Sequence, residues 1–327
     1  MAVAVSVLVP VCNVERYLRE CLDSLAAQTL QDIEVVCIDD GSTDSSGAII
    51  DEYCARYQNF RVIHKPNTGY GNSMNCGLDL ARGEYVGIVE SDDFADKRMF
   101  AVLYRIAKRH DLDVVKSSYY EHSEAGDTRC APYHGLKYGR VLDPVTLPEV
   151  FGTTPAIWTG MYRRSFLVNA GIRFVESPGA SFQDTGFIYK IWSAAKRCML
   201  LRRAFLHYRI DNAGSSVKST KKVFALCDEH ASVDAFLKSL PEDRALAAAR
   251  GMQQARFGTY RWNYNRIAEE SRLEFVVRVA DEFKASKARG WLDEWLFKPA
   301  NWALLEQLMA DPEAFCAAYP DELPWEF

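Results

Sequence analysis

No apolar run in the 327-residue chain approaches the roughly 20 residues that span a bilayer. A strand pattern that has begun by Val3 leaves no room for a cleavable leader. Basic charge is not in excess either. Against 44 Asp+Glu there are 39 Lys+Arg, a formal net charge of −5, which argues against a nucleic-acid partner held by a broad basic surface. There is no C-x-x-C pair. The nine cysteines, Cys12, Cys21, Cys37, Cys54, Cys76, Cys130, Cys198, Cys227 and Cys316, are odd in number and scattered. That argues against a disulfide framework or a zinc site and for reduced, mostly buried thiols in a cytoplasmic protein. Internal repeats and low-complexity segments are also missing. What is present is 48% hydrophobic residues in a length that suits one large domain or two of roughly 150 residues.

The first part of the chain alternates strand and helix patterns. Val5–Val11 is a continuous apolar run of the kind a strand buried on both faces shows. Glu15–Gln28 follows with Tyr17, Leu18, Cys21, Leu22 and Leu25 at helical spacing. Ile33–Asp39 is a second buried strand, and a helix after it has Ser42, Thr43 and Asp44 as candidate N-caps. Strands are then predicted at Arg61–His64, Glu84–Glu90 and Asp113–Tyr120, with helices ending near Ala81 and covering Lys97–His110. Such alternation implies βαβ units with right-handed crossovers and a mostly parallel, Rossmann-like sheet flanked by helices. From Glu121 to Leu147 the pattern dissolves into polar residues and turns. Helices are expected again at Arg163–Ala170 and Asp184–Ala195, and a strand at Cys198–Arg209. Beyond Ser219, Lys221–Leu240, Pro241–Ala268, Glu269–Ala288 and Trp291–Met309 carry helix-period apolar residues. They form a C-terminal helical appendage over 220–327, after a domain over 1–219 that divides into halves 1–120 and 121–219.

In a parallel α/β sheet ligands bind outside the carboxyl ends of the strands. Polar residues collect there after each of the first four strands: Pro10–Glu15, Asp39–Asp44, Lys65–Asn75 and Glu90–Asp96. Glu90-Ser91-Asp92-Asp93 is the sharpest of these. Carboxylates so close repel unless a cation or raised pKa values compensate, and hard oxygen ligands suit Mg²⁺ or Mn²⁺. The bland alternative is that Asp92 or Asp93 caps the next helix. Of Asp39 and Asp40, one can cap a helix while the other hydrogen-bonds a base or ribose. A phosphatase of the D-x-D-G-[ST] type is excluded because its nucleophile position holds Ile38. Gly69 to Ser73 can be an ordinary tight turn or a place of close backbone approach to phosphate or sugar. Asp184, opening a helix after Phe182 and Gln183, is a cap or a reactive acid; His207 and Arg209 end the strand after it.

These segments, VSVLVPVCNVERYLRECLDSLAAQT, VVCIDDGSTD, NTGYGNSMNCGL and GEYVGIVESDD in that order, resemble family 2 glycosyltransferases of the GT-A fold. WTGMYRRSFL and FQDTGFIYKI are similar to the family's acceptor half, and no resemblance extends beyond about residue 220. The resemblance implies sugar transfer from a nucleotide diphosphate donor, a UDP-sugar by family expectation, with inversion. Pro10, Val11, Asn13 and Glu15 would meet the nucleotide, and Asp40 the base. Asn67, Gly71, Asn72 and Ser73 would line the ribose and sugar-phosphate side. Glu90-Ser91-Asp92 stands at the family's D-x-D, which makes Asp92, with Asp93 beside it, the expected ligand of Mn²⁺ or Mg²⁺. Asp184 matches the general base. Two departures are plain: Glu90 replaces the first Asp, and Ser73-Met74-Asn75 replaces an Ala-Arg-Asn. The implied acceptor is a polysaccharide or lipid-linked glycan.

A sugar-nucleotide nucleotidyltransferase would carry a glycine-rich loop where this chain has CNVER. A processive synthase would carry membrane spans, and its Q-x-x-R-W signature has only a chance near match at Gln253–Phe257. A non-catalytic nucleotide-sugar or glycan-binding module is the remaining alternative, and it has no need of a base at Asp184. Arg256, Phe257, Tyr260, Arg261, Trp262, Tyr264 and Arg266 form an aromatic and basic stretch. It reads as core packing with solvated arginines, or as a face for a dimer or for a lipid-linked acceptor at the inner face of the membrane.

Overall fold

The computed structural model describes residues 2–212 and 222–324. The boundary expected near residue 220, and Lys221 at the head of the first C-terminal helix, lie outside them. Two compact units are formed among the described residues: one from 2–144, 153–191 and 195–212, the other from 145–152, 192–194 and 222–324.

The first unit is built on one sheet. Its first strands, β1 (Val5–Val11) and β2 (Ile33–Asp40), are buried along their whole length, as continuous apolar runs require. With β3 (Phe60–Lys65) and β4 (Tyr85–Ile88) they pair in parallel in the order β3-β2-β1-β4. The connecting helices are α1 (Glu15–Ala26), α2 (Ser46–Arg56) and α3 (Tyr70–Leu80). Helix α1 buries Leu18, Cys21, Leu22 and Leu25, the stripe its spacing promised.

Past β4 the sheet becomes mixed. β5 (Phe94–Ala95) and α4 (Met99–Arg109) lead into β6 (Val114–Ser123), and β9 (Gly160–Arg163) lies antiparallel between β4 and β6. β10 (Cys198–Arg209) runs parallel to β6, with β5 antiparallel on its far side. The polar region after Tyr120 is not a run of turns. β6 continues to Ser123 and folds back as β7 (Gly126–Cys130), and β8 (Val141–Leu142) pairs with β10. β7 is almost wholly exposed, so it carries no apolar alternation for a sequence reading to catch. Helices α5 (Arg164–Asn169) and α6 (Gln183–Ala194) complete the chain before β10.

Insertion of β9 depends on Gly160. A Cβ there would lie 2.1 Å from the Val115 carbonyl oxygen and 2.8 Å from Lys116 Cδ. Lys116 is fully buried beside it, donating from Nζ to the Ala156 carbonyl and, at 3.2 Å, to the Tyr162 hydroxyl.

The second unit is helical: α7 (Ala225–Leu237), α8 (Glu242–Tyr264), α9 (Arg272–Ala288), α10 (Pro299–Ala310) and α11 (Pro312–Ala318). The segment expected as one helix from Trp291 starts only at Pro299, whose fixed φ suits a first helical position. α11, capped by Asp311 through the Ala314 amide at 3.0 Å, was not foreseen. Within the aromatic and basic stretch, Arg256, Phe257, Tyr260 and Tyr264 are core. Arg256 is neutralised by Asp234 at 3.0 Å and Glu282 at 2.7 Å, so the near match to a synthase signature is structural. Trp262 stays 43% exposed with Arg266 over its ring. Among the described residues no helix is long and apolar enough to cross a membrane. The nine cysteines are free, and all but Cys12 are buried or half-buried.

Gly160→Ala is expected to cost about 1–3 kcal/mol by overpacking, read from urea unfolding. Gly152→Ala, whose added Cβ meets nothing within 4 Å, is expected to stay within about 0.5 kcal/mol of wild type. Equal effects would show that the β9 insertion is not tightly packed at Gly160.

Candidate active site

The loops after β1 and β2 hold each other. Asn13, at a left-handed φ of 51°, accepts from the Thr43 amide at 2.7 Å and the Asp44 amide at 3.3 Å. Glu15 accepts from the Ser45 amide at 2.8 Å, and its own amide donates to Asp44 at 3.0 Å. Both side chains, expected to meet a nucleotide, are engaged in shaping the rim; Pro10 and Val11 are buried in the strand below. Asp39 accepts from the Ser42 amide at 3.0 Å and sits 2.8 Å from His64 Nδ1.

Asp40 is buried and heavily bonded. Its Oδ1 accepts from Lys65 Nζ and, at 2.9 Å, the Thr68 amide; its Oδ2 accepts from the Gly69 amide at 2.9 Å. Burial opposes its charge, but Lys65 and the two amides outweigh burial and hold the carboxyl below its ordinary range. Little of its acceptor capacity is left for a base. Asn67 is exposed, with its amide on Cys12 Sγ at 3.4 Å.

The glycine-rich stretch meets the chain itself. Gly69 has φ 98°, and a Cβ on Gly71 would lie 1.9 Å from the Val175 carbonyl oxygen. Residues 174–179 cross the start of α3 here. Asn72 donates to Glu176 at 2.9 Å, Asn75 donates to Glu176 at 2.8 Å, and the Tyr70 amide donates to the Gly179 carbonyl at 3.2 Å. Ser73 is buried, its hydroxyl on the Gly69 carbonyl at 3.1 Å. The expected approach was to phosphate or sugar; the close approach these glycines make in the structure is to the segment that leads into Asp184.

The acids gather after β4. Glu90 accepts from the Tyr70 hydroxyl at 2.7 Å. Burial, with the charges of Asp92 and Asp184 adding to it against the Tyr70 hydrogen bond, pushes the Glu90 carboxyl up to about 8. Asp92 is half-buried and accepts from Asn212 Nδ2 at 2.8 Å. Ser91 and Asp93 are buried. Asp93 Oδ1 accepts from the Arg209 amide at 2.8 Å, while its Oδ2 has no hydrogen-bond partner among the described residues. Burial and then Asp92 push Asp93 well above the carboxylate range. Neither Asp92 nor Asp93 caps α4, which opens at Met99 after Arg98. Asp184 stands in the first turn of α6, behind Phe182 at a left-handed φ of 60°. Its Oδ1 accepts from the Thr185 amide at 2.8 Å, and burial lifts the carboxyl to about 6 despite that bond.

Sequence reasoning missed the residues that hold these acids. Tyr70 and Asn212 lie remote from them in the chain, and Arg209, noted only as the end of a strand, carries no local sign of its partners. Arg209 donates to the Asp92 carbonyl at 3.0 Å and to Glu20 at 2.5 Å, with Tyr17 4.7 Å beneath it.

This crowding tests whether a divalent cation fits. Oxygen-only donors that raise one another's pKa, with one buried carboxylate oxygen orphaned, suit a hard cation. Among the described residues no three ligand atoms of these acids converge. Among the described residues these acids therefore bring at most two such ligand atoms together.

The family model for glycosyl transferase family 2 matches residues 6–167. Glycosyltransferase GlyG of Streptococcus pneumoniae is 40% identical over 219 residues, covering 64% of this chain and 71% of that protein. The chain belongs to glycosyl transferase family 2. The uncharacterized glycosyltransferase EpsJ of Bacillus subtilis is 34% identical over 232 residues, 69% of this chain and 66% of its own length. The chain thus spans about two thirds of the length of these curated relatives. Among solved structures, residues 1–349 of S. aureus TarS in complex with UDP-GlcNAc superpose with a TM-score of 0.79 at 22% identity. That match covers 99% of this chain and 94% of the other, and it shows the GT-A architecture of this glycosyltransferase.

The raised Glu90 pKa makes a linkage expectation. From its ordinary value near about 4 up to about 8, native protein holds a proton that unfolded chain has lost, so stability falls as pH rises, by up to about 1.4 kcal/mol per pH unit. In urea unfolding without nucleotide or cation, Glu90→Gln is expected to flatten that fall. Parallel pH curves for the two proteins would show that Glu90 ionises freely.

Proposed function

We propose that this glycosyltransferase moves a sugar from a nucleoside diphosphate donor, a UDP-sugar, to a hydroxyl of a polysaccharide or lipid-linked acceptor, with inversion. The observation that carries the reading is Asp184. Its carboxyl, lifted to about 6, stands within electrostatic reach of the Glu90 carboxyl at the head of the acidic turn. A base tuned to that range is ionised near neutrality and still accepts a proton readily.

In this reading Asp184 accepts the proton of the acceptor hydroxyl as its oxygen bonds to the anomeric carbon. The bond from that carbon to the diphosphate oxygen breaks, and the nucleoside diphosphate leaves with the electron pair. The Glu90 carboxyl, raised to about 8 by burial and tied to Tyr70, is suited to donate to a sugar hydroxyl and is a poor nucleophile. That favours single displacement over a covalent intermediate. Mg²⁺ or Mn²⁺ bound at Asp92 would offset the charge of the departing diphosphate. Asn212 orients Asp92 for that ligation. Asp93, turned inward on Arg209, braces the turn. The nucleotide would lie across the rim made by Pro10–Glu15, Asp40 and Asn67.

The UDP-GlcNAc in the TarS structure supports a UDP-sugar and an N-acetylhexosaminyl or hexosyl group. A cytoplasmic site at the inner face of the membrane is consistent with a lipid-linked acceptor, and the exposed Trp262 offers a peripheral contact or a dimer contact.

Calorimetry with UDP, GDP, CDP and dTDP, with and without Mn²⁺, tests the reading. UDP binding is expected to need the metal, to weaken about tenfold or more in Asp92→Ala, and to survive in Asp184→Asn. Turnover of a UDP-sugar is expected to fall at least about 100-fold in Asp184→Asn and, in wild type, to rise with pH through about 6. Metal-dependent UDP binding with no turnover of any UDP-sugar by wild type would favour a binding module instead, and equal turnover in wild type and Asp184→Asn would remove Asp184 as the base.

A further inference from the structure

Outside the acidic turn, one other constellation of the first unit has ligand chemistry. On β6, Tyr120 and His122 face the same side of the sheet, two residues apart. His207 of β10 pairs with Tyr120, and Asp127 of β7 pairs with His122. The three polar side chains therefore meet on one face of three adjacent strands. One ligand atom from each lies within 4.8 Å of the others. His122 Nδ1 is 2.7 Å from Asp127 Oδ1, and His207 Nδ1 is 2.9 Å from Asp127 Oδ2.

His207 Nδ1 is buried and faces the Asp127 carboxylate that His122 also meets. The ring cannot easily turn away. It is stacked on Phe94 at 4.4 Å and on Tyr120 at 4.9 Å, and His122 meets Phe94 edge-on at 4.9 Å. Ligands fixed by strand pairing and ring packing are preorganised.

We propose that His122, Asp127 and His207 form a site for a borderline divalent transition ion, of which Zn²⁺ is the type. Two imidazoles and a carboxylate are a donor set for such ions, with a fourth position left to water. Ligand atoms about 3.3 Å apart suit tetrahedral Zn²⁺, so each imidazole would move a few tenths of an ångström away from the carboxylate to admit the ion. The oxygen-only acidic turn suits Mg²⁺ or Mn²⁺ instead, and the two sites are chemically distinct. Cysteine spacing argued against zinc in this sequence, but this triad contains no cysteine. The bound ion would clasp the β6–β7 hairpin to β10. Arg209, paired in register with His122, is the residue that braces Asp92 and Asp93, so the clasp would stiffen the support of the acidic turn. The inference does not depend on the proposed donor or acceptor.

The test uses the full chain, stripped with a chelator and titrated with Zn²⁺ in excess Mg²⁺. One equivalent is expected to bind and to raise the melting temperature. Binding is expected to weaken more than about tenfold in both Asp127→Asn and His122→Gln. Melting of the chelated proteins shows whether either variant is misfolded, and the other then decides. Co²⁺ in place of Zn²⁺ is expected to give visible absorption of an N/O-ligated ion. No binding at one equivalent would overturn the proposal and leave the triad a hydrogen-bonded bridge. Binding unchanged in both variants, or a thiolate–cobalt band in the near ultraviolet pointing to Cys12, would overturn it equally.

Discussion

Carboxylates cannot be packed together at a strand end without something to carry their charge, and this chain packs Glu90, Asp92, Asp93 and Asp184 around the end of β4. The protein answers part of the charge itself. The Tyr70 hydroxyl bonds Glu90, Asn212 bonds Asp92, and the Arg209 amide and guanidinium hold the turn. The remainder appears as carboxyls held above their ordinary range, with Asp93 Oδ2 buried and without a partner among the described residues. In the proposed reaction that deficit has a use, because a cation bound there would offset the charge of a departing diphosphate as well.

The second constraint is geometric. Asp184 reaches the acidic turn only because residues 174–179 cross α3 at Gly69 and Gly71, where any side chain at Gly71 would collide with the Val175 carbonyl. Asn72 and Asn75, both bonded to Glu176, lock that crossing. A segment rich in glycine and asparagine thus serves the site indirectly, by fixing the path to Asp184, the proposed base. The strained φ of Phe182 falls just before it, where such strain is commonly stored at functional positions.

Much of this was legible in the sequence. Fully buried strands announced themselves as unbroken apolar runs, and polar clusters after each run marked the carboxyl edge of the sheet. The acids that the structure gathers after β4, Glu90, Asp92 and Asp93, stand together in the sequence as well. Less legible were interactions set by register and by contacts remote in sequence. Asn212 meets Asp92 and Glu176 meets Asn72 across more than a hundred residues, and no local pattern announces such pairs. The β7 hairpin was missed because its exposed strand carries no apolar alternation. Asn13, Glu15 and Asp40 were expected to meet a nucleotide, and the structure shows their side chains binding the loops together, a use that only coordinates reveal.

The central claim is that the acidic turn and the diphosphate share one cation. Anomalous scattering from a crystal grown with Mn²⁺ and UDP measures this directly. The account predicts a manganese peak in direct contact with an Asp92 oxygen and with diphosphate oxygens, and Asp184 left unligated. Diphosphate bound with no peak beside Asp92, or a peak ligated by Asp184, would contradict it.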